Sequence, residues 1–99
     1  MWQVKIQDKA AQIFESSDLT EDDRLVIQTW AQIVAEHGPD ELKKKPSVWA
    51  DHPLYGEWAE HRASSFSYSG RIIYTVKDSI ITVIVVRITT DHDYKKKKE

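Results

Sequence analysis

The stretch of residues 64–88, SSFSYSGRIIYTVKDSIITVIVVRI, decides the fold that this sequence predicts. Residues 71–76 and 80–88 are rich in β-branched side chains, which favour strands. Residues 69–70 (SG) precede the first run and residues 77–79 (KDS) separate the two, and both are typical of turns. Because short turns join antiparallel neighbours, we expect a meander. Residues 80–88 are apolar at both alternating sets of positions, which indicates a central strand.

The sequence before this stretch predicts one strand and two helices. Residues 2–6 alternate apolar and polar side chains, as a half-buried strand does. Asp8 is positioned to cap a first helix. Thr20 starts a second helix with an acidic first turn, and residues 38–39 (GP) end it. Its apolar residues recur at three- and four-residue spacing, at Val26, Ile27, Trp30, Ile33 and Val34.

Two further strands are expected before residue 70. Residues 58–62 are one candidate, and the alternation of Ser64, Phe66 and Tyr68 with other serines indicates another. Residues 39–43 either form a short helix or remain irregular. The predicted fold class is α+β, with an N-terminal strand and two helices packed on a C-terminal antiparallel meander sheet, in the order β-α-α-β-β-β.

Length, charge and composition limit the function. Ninety-nine residues suit one domain with a modest core, so we assign residues 1–94 to a single domain and residues 95–99 (KKKKE) to a basic tail. The absence of cysteine excludes disulfides, thiol nucleophiles and cysteine-ligated zinc. Residues 1–42 carry nine acids and three bases, and residues 43–99 carry seven acids and eleven bases, so charges of −6 and +4 add to −2. A polyanion site is therefore expected in the second half, although solvated surface lysines would give the same charge. No signal peptide or membrane span is recognisable, and we expect a cytoplasmic protein.

Three motifs in the second half resemble those of the RelE, YafQ and YoeB toxins of type II toxin–antitoxin systems. Residues 52–58 (HPLYGEW) resemble the family's HxLxGxW entry, and residues 70–76 (GRIIYTV) resemble its R-L-I-Y-x-V strand. Residues 85–94 (VVRITTDHDY) resemble the closing strand with its H-x-x-Y/F end, compressed here to His-Asp-Tyr. The resemblance implies a RelE-like fold and an endoribonuclease that binds mRNA on the ribosome, uses no metal or small-molecule cofactor, contacts no membrane, and is neutralised by a cognate antitoxin.

Cleavage of RNA defines what the candidate residues must do. A ribose 2′-OH attacks the adjacent phosphate, so the protein must bind the phosphate, accept one proton and donate another. Arginine matches phosphate oxygens with a rigid, permanently charged fork. Histidine transfers protons near neutral pH, and tyrosine can stack on an unpaired base or donate a proton.

The predicted catalytic residues are Arg71, His92 and Tyr94. Arg71 opens a strand whose residues Ile72 and Tyr74 are expected to face the helices, which leaves Arg71 on the open face of the sheet. The resemblance implies that the matching arginine contacts the scissile phosphate and that His92 is the catalytic histidine, acting as general acid or base. Tyr94 either stacks on a base, donates a proton, or packs the end of the chain against the sheet.

A second set of residues is predicted to bind RNA or phosphate: Arg87, Arg62, His61, Lys95 and Lys96. Strict alternation puts Arg87 on the same face as Val83 and Val85, so its stem could instead cover an edge of the core. His61 and Arg62 stand where relatives place basic or catalytic groups before the meander. The two lysines suit non-specific attraction to ribosomal RNA or, equally, ordinary solvation.

The sequence lacks the motifs of several other chemistries and leaves two alternative functions open. The histidines at 37, 52, 61 and 92 show no zinc-ligand spacing, and no glycine-rich phosphate loop or GxSxG elbow occurs. One alternative is a ParE-like toxin that binds DNA gyrase, and another is a catalytically inactive relative that only binds an antitoxin. The slight acidity departs from the basic charge typical of the family, whereas the His-Asp-Tyr end favours the nuclease branch.

Overall fold

The computed structural model describes residues 2–88, which form one mixed sheet with helices. The elements are β1 (Gln3–Ile6), α1 (Asp8–Glu15), α2 (Glu21–His37), a 3₁₀ helix (Pro39–Lys44), α3 (Pro46–Trp49), β2 (His52–Pro53), a second 3₁₀ helix (Gly56–Trp58), β3 (Arg62–Ser65), β4 (Gly70–Lys77) and β5 (Ile80–Ile88). The strand order is β1-β5-β4-β3-β2, in which β1 is parallel to β5 and the other pairs are antiparallel. The predicted α+β class with a C-terminal meander is confirmed, as is the interior position of β5. No helix within residues 2–88 combines the length and apolar composition that crossing a bilayer requires.

Helix α2 begins where its sequence predicts. The hydroxyl of Thr20 accepts from the backbone N–H of Asp23 at 3.0 Å, and the Asp23 carboxylate accepts from the Thr20 N–H at 3.1 Å. This reciprocal capping box satisfies two backbone donors that a helix start leaves unpaired. The helix ends at Gly38, whose φ of 85° is unfavourable for other residues, and whose backbone packs against the Trp2 indole.

Helix α1 and the early strands differ in detail from the prediction. The residue preceding α1 is Gln7, and Asp8 is the first helical residue with no capping hydrogen bond, so the predicted Asp8 cap is wrong. A strand over residues 58–62 is also wrong, because Trp58 ends a 3₁₀ helix and β3 begins at Arg62. The strand predicted through Tyr68 ends at Ser65, and the sheet gains the two-residue strand β2 instead.

The core lies between the helices and one face of the sheet, which we call the inner face. Trp30 and Val34 of α2, Ala10 of α1, and Ile72 and Tyr74 of β4 are all fully or almost fully buried in this one cluster. The remaining core members are Leu19, Ile27, Leu42, Trp49, Phe66, Ile81, Val83 and Val86. The Trp30 and Tyr74 rings meet edge to face at a centroid distance of 5.2 Å. The expectation that Ile72 and Tyr74 face the helices is confirmed.

A β-bulge in β5 reverses one prediction about Arg87. Tyr74 pairs with Val83 but the preceding Ile73 pairs with Val85, so the register skips Ile84. The extra residue shifts the alternation of β5 by one position. Val83 is therefore on the inner face, whereas Arg87 is paired with Arg71, which precedes the inward-facing Ile72. The prediction that Arg87 shares a face with Val83 is wrong.

Candidate functional site

The outer face of the sheet, on the side away from α2, carries the predicted arginine of β4. On this face, Ser65 of β3 pairs with Arg71 of β4. Two residues further along, Ala63 of β3 pairs with Ile73 of β4. Ala63 and Ile73 are buried, while Ser65 and Arg71 are partly exposed. The outer face thus has a small apolar floor beside a polar row that begins at the β3–β4 turn.

Arg71 is held at this turn by its own side chain. Its Nη1 donates to the carbonyl oxygens of Ser67, Tyr68 and Gly70, at 3.3, 3.3 and 2.8 Å. Within residues 2–88, Nε and Nη2 of Arg71 have no hydrogen-bond partner. The arrangement orients the guanidinium through one nitrogen, and its contacts with the β3–β4 turn use neither Nε nor Nη2.

The sheet register places a second arginine directly across from Arg71. Arg71 of β4 and Arg87 of β5 are paired residues in the antiparallel ladder. Like charges directly opposite each other in a sheet are destabilising, and an anion between them offsets the repulsion. Guanidinium groups fit phosphate oxygens, so two arginines at paired positions are residue types that could bind a phosphate.

Two histidines occupy the β2–β3 edge of the same face. His52 pairs with Ala63, and the carbonyl oxygen of His61 accepts from the backbone N–H of Leu54. Nδ1 of His52 lies 2.8 Å from the Ala50 carbonyl oxygen and Nδ1 of His61 lies 3.1 Å from that of Ala59. Because a carbonyl oxygen only accepts, Nδ1 is the donor in each of these contacts, and Nε2 is the ring nitrogen that lies outside them.

Arg62 lies on the inner face, apart from Arg71, and belongs to a buried network around Asp51. The Asp51 Oδ1 accepts from Arg62 Nε at 2.7 Å and lies 2.6 Å from Nη2. Its Oδ2 accepts from the hydroxyls of Ser64, at 2.6 Å, and Tyr74. Ser64 Oγ in turn accepts from Trp30 Nε1 at 3.0 Å. The Asp51 carboxylate is fully buried and the Arg62 side chain is 25% exposed. Through these hydrogen bonds the network joins the loop before β2 to strands β3 and β4 and to α2.

The network alters the protonation of its members. Burial raises the pKa of Tyr74, and its hydrogen bond to Asp51 and the negative charge of that carboxylate raise the pKa further. Burial opposes the charge of Arg62, but the hydrogen bond and attraction to Asp51 outweigh this effect and raise the pKa of the guanidinium. Tyr74 is therefore a neutral hydrogen-bond donor and Arg62 a charge that Asp51 already balances.

Comparison with solved structures identifies this arrangement of strands and helices. YafQ from E. coli strain BL21(DE3) matches with a TM-score of 0.72 at 13% identity, over 90% of this chain and 94% of YafQ. YoeB in the YoeB–YefM complex from Staphylococcus aureus matches with a TM-score of 0.70 at 11% identity, over 91% and 99%. A YoeB/ParE toxin from Agrobacterium tumefaciens matches with a TM-score of 0.67 at 17% identity, over 89% and 99%. The chain has the RelE/YafQ/YoeB toxin fold. No protein-family model matches the sequence, and no curated protein matches it either.

The toxin fold brings some of the predicted residues to one face and separates others. Arg71 and Arg87 are paired positions on the outer face, with His61 at its edge, whereas the side chain of Arg62 contacts Asp51 in the inner network. His92, Tyr94, Lys95 and Lys96 lie outside the described residues. Within residues 2–88, no three histidine, aspartate or glutamate side chains cluster in a way that suits a metal ion.

The sequence analysis missed two residues of this toxin fold. The sequence around His52 predicts a loop, whereas the pairing of His52 with Ala63 puts it on the outer face. The sequence predicts no role for Asp51, because nothing in its local sequence shows that Arg62, Ser64 and Tyr74 converge on it. A signal was nevertheless present at His52, since it is the first residue of the motif that carries the resemblance.

Proposed function

We propose that this protein is a toxin that cleaves mRNA on the ribosome by attack of a ribose 2′-OH on the adjacent phosphate. The observation that carries the proposal is the pairing of Arg71 with Arg87 on the outer face of a toxin fold. The motif resemblance supports the nuclease chemistry. The paired arginines supply the positive charge and hydrogen-bond donors that stabilise a pentavalent, more negative phosphate. We infer that it acts in the cytoplasm, where ribosomes translate.

In this mechanism, Nε and Nη2 of Arg71, which make none of the hydrogen bonds that hold Nη1 at the turn, bind two oxygens of the scissile phosphate as a fork. Arg87 stabilises the charge that grows on the same group as the 2′ oxygen attacks. His92 transfers a proton, as the resemblance implies, and Tyr94 stacks on a base or donates a proton. His61 and the newly located His52 are further candidates for proton transfer, because the carbonyl contact of each ring uses Nδ1 and not Nε2.

The proposed partners follow from the same surface. The solved structures with this fold include an E. coli DinJ–YafQ toxin–antitoxin complex and a Staphylococcus aureus YoeB–YefM complex, which supports an antitoxin partner for this chain. We propose that the antitoxin covers the outer face or displaces the segment of residues 91–94. Lys95 and Lys96 are proposed to attract ribosomal RNA, and Arg62 stays a predicted RNA contact whose charge is already shared with Asp51.

The test is primer extension on mRNA from a translating extract that contains the purified protein. We expect cuts at defined positions within codons, reduced about 100- to 1,000-fold in Arg71→Ala, as when one transition-state donor is removed. Arg71→Lys keeps the charge and loses the fork, and it is expected to remain strongly impaired. Lys77→Ala is the matched control, because Lys77 is an exposed cation at the opposite end of β4.

Two outcomes would overturn the proposal. One is uncut mRNA with wild-type protein, particularly if the protein linearises DNA in a gyrase assay. The other is wild-type cleavage in Arg71→Ala or in His92→Ala, since either result would separate activity from the residues that the mechanism uses.

A further inference from the structure

A groove between α2 and the segment that contains the first 3₁₀ helix and α3 exposes apolar side chains. We call it the α2–α3 groove, and its lining residues are Thr29, Ile33, His37, Glu41, Lys44, Lys45, Val48 and Trp49. Val48 is 52% exposed, and Leu25, one helical turn before Thr29, is 58% exposed. Trp49 is buried and Ile33 is half-buried, so the floor of the groove is apolar. Exposed aliphatic side chains beside an apolar floor indicate a surface that binds a protein.

The ridge of α2 along this groove carries opposite charges at its two ends. Residues four apart lie on the same face of a helix. Five of them form the ridge: Glu21, Leu25, Thr29, Ile33 and His37. The Glu21 carboxylate is 92% exposed, and its ion pair with Arg24 is long, at 3.7 Å. At the other end, Lys45 lines the groove together with His37, and among residues 2–88 it has no ion-pair partner.

We propose that the α2–α3 groove binds a second copy of this chain, with the two α2 helices antiparallel about a two-fold axis at Thr29. In a two-fold interface, residue i contacts residue j of the partner and j contacts i. Packing the ridge against a reversed copy puts Leu25 next to the partner's Ile33 and brings Glu21 towards the partner's Lys45. The apolar residues are thereby covered, and each charged end meets the opposite charge. Any other partner would have to carry this pattern in reverse, whereas the chain itself already does.

The residue at the proposed axis is suited to burial. The hydroxyl of Thr29 donates to the Leu25 carbonyl oxygen at 2.9 Å, so covering it leaves no hydroxyl donor unpaired. Its side chain is also small enough for two helices to approach closely. Because α2 packs on the inner face of the sheet, such a dimer leaves the outer face, where Arg71 lies, accessible in both copies. The inference therefore adds an assembly to the proposed function and does not depend on it.

Sedimentation equilibrium of the full chain measures the dissociation constant of the dimer. We expect a monomer–dimer equilibrium for wild type and a dissociation constant about 100-fold larger for Leu25→Gln, because each of the two copies loses an aliphatic contact. Glutamine has a helix propensity close to that of leucine, so the circular dichroism spectrum should not change. Tyr55→Gln is the matched control, because Tyr55 is 80% exposed on a different loop.

Charge reversal tests the two-fold arrangement. Glu21→Lys and Lys45→Glu should each weaken self-association several-fold, since each variant alone places like charges across the interface. Mixing the two variants should restore the dimer, because both contacts of the mixed dimer then join a lysine to a glutamate. A mixture that associates no better than either variant alone would contradict the antiparallel arrangement.

Three further outcomes would overturn the inference. One is a wild-type chain that stays monomeric up to about 1 mM, which is weaker than any specific dimer of use to a cell. Another is equal dissociation constants for Leu25→Gln and Tyr55→Gln. The third is a monomer whose antitoxin complex is weakened by Leu25→Gln, which would assign the groove to the antitoxin. Cleavage of mRNA is measured in parallel, so that a dimer without cleavage supports the inference and counts against the proposed function alone.

Discussion

Removing the negative charge of Asp51 should destabilise this protein more than any change to an exposed acid. In Asp51→Asn, the guanidinium of Arg62 loses a carboxylate that it contacts through two nitrogens, at 2.7 and 2.6 Å. Breaking one partner of a buried ion pair costs about 3–5 kcal/mol. Because the Arg62 side chain is 25% exposed and water can solvate part of it, we expect the lower end, about 3 kcal/mol.

Urea unfolding followed by tryptophan fluorescence measures this loss. With a denaturant slope of about 2 kcal/mol per molar for a domain of this size, the midpoint should fall by about 1.5 M urea. Asp78→Asn is the control, because Asp78 is exposed in a turn with φ of 53°, a conformation that asparagine tolerates. Its midpoint should match wild type.

A double-mutant cycle with Arg62→Met assigns the effect to the pair. Arg62→Met alone leaves the buried Asp51 carboxylate without its charged partner, whereas the double variant removes both charges. The two losses in free energy of unfolding should therefore not add. We expect a coupling free energy above about 1 kcal/mol, as contacting residues show. A loss below about 1 kcal/mol in Asp51→Asn, or losses that add within error, would refute the view that this ion pair holds β2 to the sheet.

Other predictions concern the same network and the two ends of α2. Stability should fall as pH rises above 10.0, the ordinary tyrosine value, because the unfolded chain then releases the Tyr74 proton that the folded network retains; Tyr74→Phe should remove this fall in urea midpoints. Gly38→Ala should lower stability by about 2 kcal/mol in the same assay, since its Cβ would lie 2.7 Å from the Trp2 ring at an unfavourable φ. Thr20→Ala should cost about 1 kcal/mol through loss of the cap, with Thr20→Ser restoring most of it, and an unchanged midpoint would contradict the capping role.

Elements with strong local signals were predictable, and α2 shows why. Its cap, its acidic first turn, its apolar spacing and its terminal glycine are all written in one continuous stretch of sequence, and each acts locally. The central strand β5 was equally clear, since its apolar residues continue on both faces. The bulge in β5 was not predictable, because the position of the extra residue depends on how β5 pairs with β4, which the local sequence does not show.

Elements fixed by distant contacts escaped the sequence analysis. Strand β2 has two residues and no periodic pattern. Among residues 2–88, the side-chain hydrogen-bond partners of the buried Asp51 beside it lie at least eleven positions away. The same cause separates Arg62 from Arg71. Both stand on neighbouring strands of the meander, but only the register shows that one alternates onto the inner face and the other onto the outer face.

The net charge of the chain is slightly negative, but the proposed RNA site depends on the charges near it, which the strand register determines. In salt at physiological concentration, charges are screened beyond about 8 Å, so a phosphate responds to neighbouring groups rather than to the net charge of −2. The exposed acids Glu21 and Asp22 lie in the first turn of α2, on the helix side of the sheet. On the outer face, Arg71 and Arg87 are paired positions, and the charge of Arg62 is balanced by Asp51 on the inner face. Strand pairing therefore puts two arginine positions side by side at the proposed site, which a count of charges along the chain does not detect.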